Sequence, residues 1–328
     1  MRSHLSIAII MMLTLFTISC CSSQSSTTTE KEPSTTSETS THTESPDGYF
    51  PLPSAPAMIT SSEDIILYLS EHYWDLFNFS DTSLITQPDI TEQGFVDYIQ
   101  LLNQISQTDA EKSINIMLNK AKPYPSMYAH FAALYEKYFY DPNSPFRNEQ
   151  LYTPVVKHLV ESEVLSQELQ EIFSFQQKML LKNKIGTTAI NFEYTLAKGD
   201  KKMMHDLQSN YLILFFTNPD CLSCASTTKQ LNNSEVFHEL FELNTPDNMV
   251  LTVLSIFPDS NVGDWRKALP SLPQQDWINS YDDGEVIYSN LLYDIKAIPT
   301  LYLLDRDKKV ILKDVDLGEI EEYFIETR

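Results

Sequence analysis

Apolar residues recur at helical spacing from about residue 60 to residue 182. Ser61 and Ser62 precede Glu63 and Asp64, a cap with acids in the first turn. Ile65, Ile66, Tyr68, Leu69, Tyr73 and Leu76 then fall mostly on one face. Further helices are expected at 92–104, 109–120, 126–140, 153–160 and 166–181. In the fourth of these, Thr153 would cap the helix and Pro154 would take its first position. Breakers separate the segments: Pro88, Pro123, Pro125 and the run Asp141-Pro142-Asn143-Ser144-Pro145. The aromatic stripe of Tyr128, His130, Phe131, Tyr135, Tyr138, Phe139 and Tyr140 reads as the core of a small helical domain rather than as a ligand groove.

Near Gly186 the period changes. Residues 189–196 read as a strand that reaches a turn at Gly199, and 211–217 as a buried strand of leucine, isoleucine and aromatic residues. A helix begins at Cys221, and 248–257 is a second buried strand. Helical pieces are expected at 264–268 and 286–293, so that 257–290 adds helical material. Residues 300–304 form a strand, Asp305-Arg306-Asp307-Lys308 a turn, 310–313 the hairpin partner and 318–327 a closing helix. The expected fold is thus an α N-terminal domain over 60–182, followed by an α/β domain over 186–328 with a mixed central sheet flanked by helices.

The ends change the picture in a different way. Arg2 and the apolar stretch from Leu5 to Ile18 form the core of a secretory signal, too short to span a bilayer comfortably. The stretch ends in Thr17-Ile18-Ser19-Cys20-Cys21, which resembles a bacterial lipobox, with Ser19 favouring Cys20 over Cys21 as the acylated residue. The alternative is a cleaved signal with two incidental cysteines. Residues 22–47 hold sixteen serines and threonines in twenty-six positions, which places a disordered tether over 21–59. A lipid anchor at Cys20 with such a tether would hold a domain near a membrane without burying it there. The net charge of −22 argues against nucleic acid or an anionic lipid surface as a partner, because neither would attract it.

Candidate chemistry is confined to one pair. Of four cysteines, two lie at the lipobox, and Cys221 and Cys224 follow the apolar run at a strand-to-helix junction. A cysteine in the first helical turn sits among unpaired backbone N–H groups at the positive end of the dipole, which favours the thiolate. Cys221 would attack a disulfide, and Cys224, one turn deeper, would resolve the mixed disulfide. Zinc would need His205 and His238 to complete four ligands, without any characteristic spacing. An inert pair is the other alternative. No metal and no organic cofactor is implied.

Three strings now carry a resemblance: Asn191-Phe-Glu-Tyr-Thr-Leu196, Leu214-Phe-Phe-Thr-Asn-Pro-Asp-Cys-Leu-Ser-Cys224 and Ile298-Pro-Thr-Leu-Tyr-Leu-Leu-Asp305. With them, 186–328 resembles thioredoxin-like domains of the TlpA/ResA type. The whole chain resembles envelope lipoproteins of the Bacteroidota that carry a helical domain of unknown function in front, on Tyr140-Asp-Pro-Asn-Ser-Pro-Phe-Arg147 and Val310-Ile-Leu-Lys-Asp314. The resemblance implies a cis bond before Pro299, with the backbone of Ile298 facing the sulfurs and available to an extended substrate. It implies a lipid-anchored thiol–disulfide oxidoreductase in the cell envelope, facing the periplasm from the outer membrane and acting on protein thiols or disulfides, with its upstream redox partner open. Three positions depart from the expected pattern: Asp220 replaces the family's usual tryptophan, Ser223 its common proline, and Phe215 the buried acid of thioredoxin itself. Two rivals stay open: a partner-binding lipoprotein that uses the fold as scaffold, and a disulfide switch that senses envelope redox state.

Overall fold

The computed structural model describes residues 49–259 and 261–327. The expected signal peptide, the acylated Cys20 and the tether up to residue 48 lie outside the described residues.

The helical part starts earlier than expected. Phe50, inside the expected tether of 21–59, stacks on Tyr73 at 4.9 Å and meets the edges of Trp74 at 5.1 Å. It packs directly over Gly94, where an added Cβ would come within 2.2 Å of its ring. The short pair Tyr49-Phe50 before Pro51 has no periodicity, so the tether boundary at 59 is corrected: packing begins by Phe50.

Six helices follow: α1 (Ser62–His72), α2 (Thr91–Leu102), α3 (Gln107–Ala121), α4 (Pro125–Tyr135), α5 (Glu149–Val160) and α6 (Gln167–Leu180). Ser61 caps α1 as expected, its hydroxyl accepting from the Asp64 N–H at 3.1 Å. The helix expected over 126–140 changes to a π-helical turn at Glu136–Tyr140. Tyr128, Phe131, Tyr135 and Phe139 are buried in one core with Trp74 and Tyr98, which bears out the core reading of the aromatic stripe.

Helix α5 corrects the expected boundary. It starts at Glu149, capped by Asn148, so Thr153 is not its cap and Pro154 stands inside it. Proline lacks the N–H that would bond the carbonyl four residues back. That carbonyl, on Gln150, accepts instead from Gln107 Nε2 at 3.0 Å.

The second part is a seven-stranded mixed sheet. Its strands are β1 (Glu193–Leu196), β2 (Lys201–Met203), β3 (Tyr211–Phe216), β4 (Leu251–Phe257), β5 (Trp277–Tyr281), β6 (Thr300–Asp305) and β7 (Val310–Val315). They lie in the order β2-β1-β5-β4-β3-β6-β7. Strands β3, β4 and β5 run parallel, and β6 and β7 return antiparallel. Strand β4 is buried along its whole length, Thr252 and Ser255 included, as expected for a central strand covered on both faces. Helices α7 (Leu222–Asn233), α8 (Glu235–Glu242), α9 (Val262–Ala268), α10 (Val286–Ser289) and α11 (Leu317–Glu326) complete the part. The material expected to be helical over 257–290 contains β5, and the helix expected over 286–293 is the four-residue α10.

A buried polar network joins the parts. Lys313 Nζ bonds the Glu149 carboxylate and donates to the carbonyls of Leu180 at 3.1 Å and Lys182 at 2.8 Å. Lys296 bridges Asp314 at 2.9 Å and Asp294 at 3.1 Å under the Tyr140 ring, and Arg147 reaches Asp314 at 3.4 Å. Burial opposes the Lys296 cation, but Asp314 and Asp294 outweigh it and hold its pKa above the ordinary lysine value. Burial raises the Glu149 carboxyl pKa, with Lys313 opposing. Removing one member of such a network would leave its partners buried and unpaired.

Candidate active site

Strand β3 delivers the chain to the site. It ends at Phe216, and five residues later Cys221 is the N-cap of α7, in extended conformation. Its Sγ accepts the Cys224 N–H at 3.1 Å, so the sulfur takes the place of a capping oxygen. Cys221 and Cys224 are joined as a disulfide with their Cα atoms 5.2 Å apart. The two sulfurs differ in access. Cys221 is half-buried, whereas Cys224 is buried against Ile213, Phe215 and Leu231. Leu222, between them, is 89% exposed and presents an apolar side chain beside the pair.

The second wall comes from the loop before β6. The Ile298–Pro299 bond is cis. The Ile298 carbonyl oxygen lies 3.5 Å from Cys221 Sγ. Thr300, expected only to start the strand, also donates its hydroxyl to the Ala297 carbonyl at 2.6 Å and ties the loop down. Among the described residues the Ile298 N–H has no hydrogen-bond partner, leaving one donor free next to the sulfurs. Cys221, Cys224, Ile298 and Pro299 are therefore brought together.

The departures acquire positions. Asp220 is exposed, its N–H held by Asn218 Oδ1 at 3.0 Å. Phe215 is buried edge-on against Trp277, so apolar surface stands at the position expected to carry an acid in thioredoxin itself. The zinc alternative loses its ligands: His205 Nε2 pairs with the Ala189 carbonyl and His238 Nε2 with Glu242. Among the described residues no group of three or more His, Cys, Asp or Glu is placed to hold a metal.

Sequence reasoning missed the groove of about 530 Å³ beside the cis-proline loop. Ser223 of α7 and the turn into α11 at Gly318 line it, and so do Pro142, Asn143 and Arg147 from the helical part. These residues come from three distant segments. The breaker run at 141–145 marks a loop in the sequence without marking its location beside α7.

A family model described as a domain of unknown function (DUF5106) matches residues 21–183. A solved thioredoxin-like protein from Bacteroides caccae ATCC 43185 is 40% identical over 85% of this chain and 99% of that one, with a TM-score of 0.80. The C-terminal domain of an uncharacterized protein from Bacteroides fragilis NCTC 9343 is 40% identical over 44% of this chain and 98% of that one, with a TM-score of 0.41. A curated relative, probable nucleoredoxin 3 of Oryza sativa subsp. japonica, is 33% identical over 124 residues, and the chain spans 25% of its length. The identity to the Bacteroides caccae protein extends through the helical part as well as the sheet, and the chain belongs to the thioredoxin-like family.

Proposed function

We propose that the protein is a lipid-anchored thiol–disulfide oxidoreductase of the cell envelope, acting on protein disulfides or dithiols through Cys221 and Cys224. The observation that carries this reading is the Cys221–Cys224 pair at the start of α7, facing the cis Ile298–Pro299 loop across 3.5 Å.

In the reducing direction, the Cys221 thiolate attacks one sulfur of a client disulfide. A Cys221–client mixed disulfide forms, and the other client sulfur leaves as a thiolate that takes a proton. The Cys224 thiolate then attacks Cys221 Sγ, expelling the second client thiolate and closing the Cys221–Cys224 bond. Two electrons have passed from the pair to the client, and a dithiol donor must return them. Run backwards, the same steps oxidise a client dithiol. The Cys224 N–H stabilises the Cys221 anion, and the free N–H of Ile298 offers a hydrogen bond to an extended client backbone. Ile298 and Pro299 are thus assigned to substrate binding.

Equilibration of the soluble part with glutathione or dithiothreitol tests the reading. A potential near about −270 mV, the thioredoxin end of the scale, makes it a reductant that needs a membrane donor; one near about −120 mV makes it a disulfide donor. A pair that fails to equilibrate removes the enzyme reading in favour of partner binding. Acylation at Cys20, and a periplasm-facing place on the outer membrane, rest on the lipobox-like ending and on Glu30 being the first acid after it. Labelling cells with a fatty-acid analogue, with Cys20→Ala as comparison, tests the anchor.

A further inference from the structure

The groove beside the cis-proline loop is bounded on one side by α7 at Ser223, on its floor by Ile298 and Pro299, and beyond that by Gly318. Its remaining wall belongs to the other half of the molecule: Pro142, Asn143 and Arg147. This wall is built rather than draped. Asp141 Oδ1 accepts from the Asn143 N–H at 2.8 Å and from its side-chain amide at 3.2 Å. Ser144 Oγ donates to the Tyr138 carbonyl at 2.6 Å, and the Asn148 N–H to the Phe139 carbonyl at 3.0 Å. Arg147 then ties the loop to Asp314 on β7, across the junction between the two parts.

Resting on the oxidoreductase reading above, we propose that Asn143 is a specificity-determining residue: it contacts the residues flanking a client protein's cystine, and so makes the helical part read the substrate. The occupant is an extended polypeptide segment. The groove is continuous with the cis-proline loop, where the free Ile298 N–H can pair with a client backbone. Asn143 is exposed, its amide group is pinned by Asp141, and its amide oxygen keeps its capacity to accept a hydrogen bond from the client. A small disulfide needs only Cys221 and the cis-proline loop. A polypeptide disulfide carries flanking residues that must run along the groove past residue 143.

The test uses the soluble chain with dithiothreitol as electron donor and two probes, insulin and 2-hydroxyethyl disulfide. The readout is the ratio of their kcat/KM values. Asn143→Trp fills the groove while keeping the backbone N–H that bonds Asp141. It is expected to lower the insulin-to-small-disulfide ratio at least about tenfold, and Asn143→Ala by about two- to fivefold. A ratio within about twofold of wild type in the Trp variant overturns the inference and leaves the oxidoreductase reading standing, whether or not both rates fall together. A wild-type protein that reduces only the small probe overturns it too. Failure of wild type both to reduce the two probes and to oxidise their dithiol forms removes the oxidoreductase reading and the inference with it.

Discussion

Cys221 Sγ and the carbonyl oxygen of Ile298 approach to 3.5 Å across 77 residues of sequence. The contact brings the start of α7 against the loop before β6 and, on the proposed function, sets Cys221 beside a backbone stretch that could pair with a client. Burial separates the two cysteines: Cys221 is half-buried and Cys224 is buried, so the proposed reaction assigns client attack to Cys221 and resolution to Cys224.

Substituting the cysteines singly separates those roles. Cys221→Ser is expected to reduce dithiothreitol-driven insulin reduction to the uncatalysed rate. Cys224→Ser is expected to accumulate a client-linked species, seen as a gel shift that dithiothreitol reverses. Wild-type turnover by Cys224→Ser would sink the two-cysteine route.

Gly94 is where Phe50 sits. Gly94→Ala is expected to cost about 1–3 kcal/mol, because its methyl group must displace a packed ring. The same change in a Phe50→Ala background should cost much less, since the obstructing ring is gone. Urea unfolding of the four proteins measures the coupling; additive costs would mean that the ring does not occupy this seat.

The proline in α5 makes a sharper pair. Gln107→Ala removes the donor to the Gln150 carbonyl and, in this exposed setting, is expected to cost about 0.5–1 kcal/mol. In a Pro154→Ala background the helix regains its own N–H for that carbonyl, and the Gln107→Ala penalty should vanish. Thermal unfolding is sufficient to check this; an unchanged penalty would mean that Gln107 acts elsewhere.

Lys296 supplies the pH dependence. Lys296→Met leaves Asp294 buried without its cation and Asp314 with Arg147 alone, and is expected to cost about 3–5 kcal/mol at neutral pH. The folded pKa of Lys296 lies above its unfolded value. Its stabilising contribution is therefore complete below about pH 10.4, the ordinary lysine value, and is lost as pH rises through the folded value. The gap between wild type and variant in urea unfolding should accordingly narrow at strongly alkaline pH. A gap that stays constant there would show that the methylenes of Lys296, not its charge, carry the effect.

What could be read from the chain follows from where its signals are local. Strand β3 is an uninterrupted apolar run and β4 and β6 are mostly apolar, and the cysteine pair with its proline loop is a matter of spacing. Strand β5 escaped because Asn279 and Ser280 break its apolar pattern. Ser280 is nevertheless fully buried, its hydroxyl satisfied by the Ser255 carbonyl at 2.9 Å. Strand β2 escaped because it is three residues long with two lysines, the composition of a protected sheet edge. Phe50 and the Asn143 wall escaped for a shared reason: each is defined by partners far away in sequence, and neither leaves a period.

The seat of Phe50 also has a mechanical meaning. Any pull applied through the N-terminal segment reaches this ring before it reaches α1. To yield, the ring must slide out from among Tyr73, Trp74 and Phe77 and off Gly94. A single aromatic side chain thereby acts as a clasp that takes up tension before it can fray the first helix.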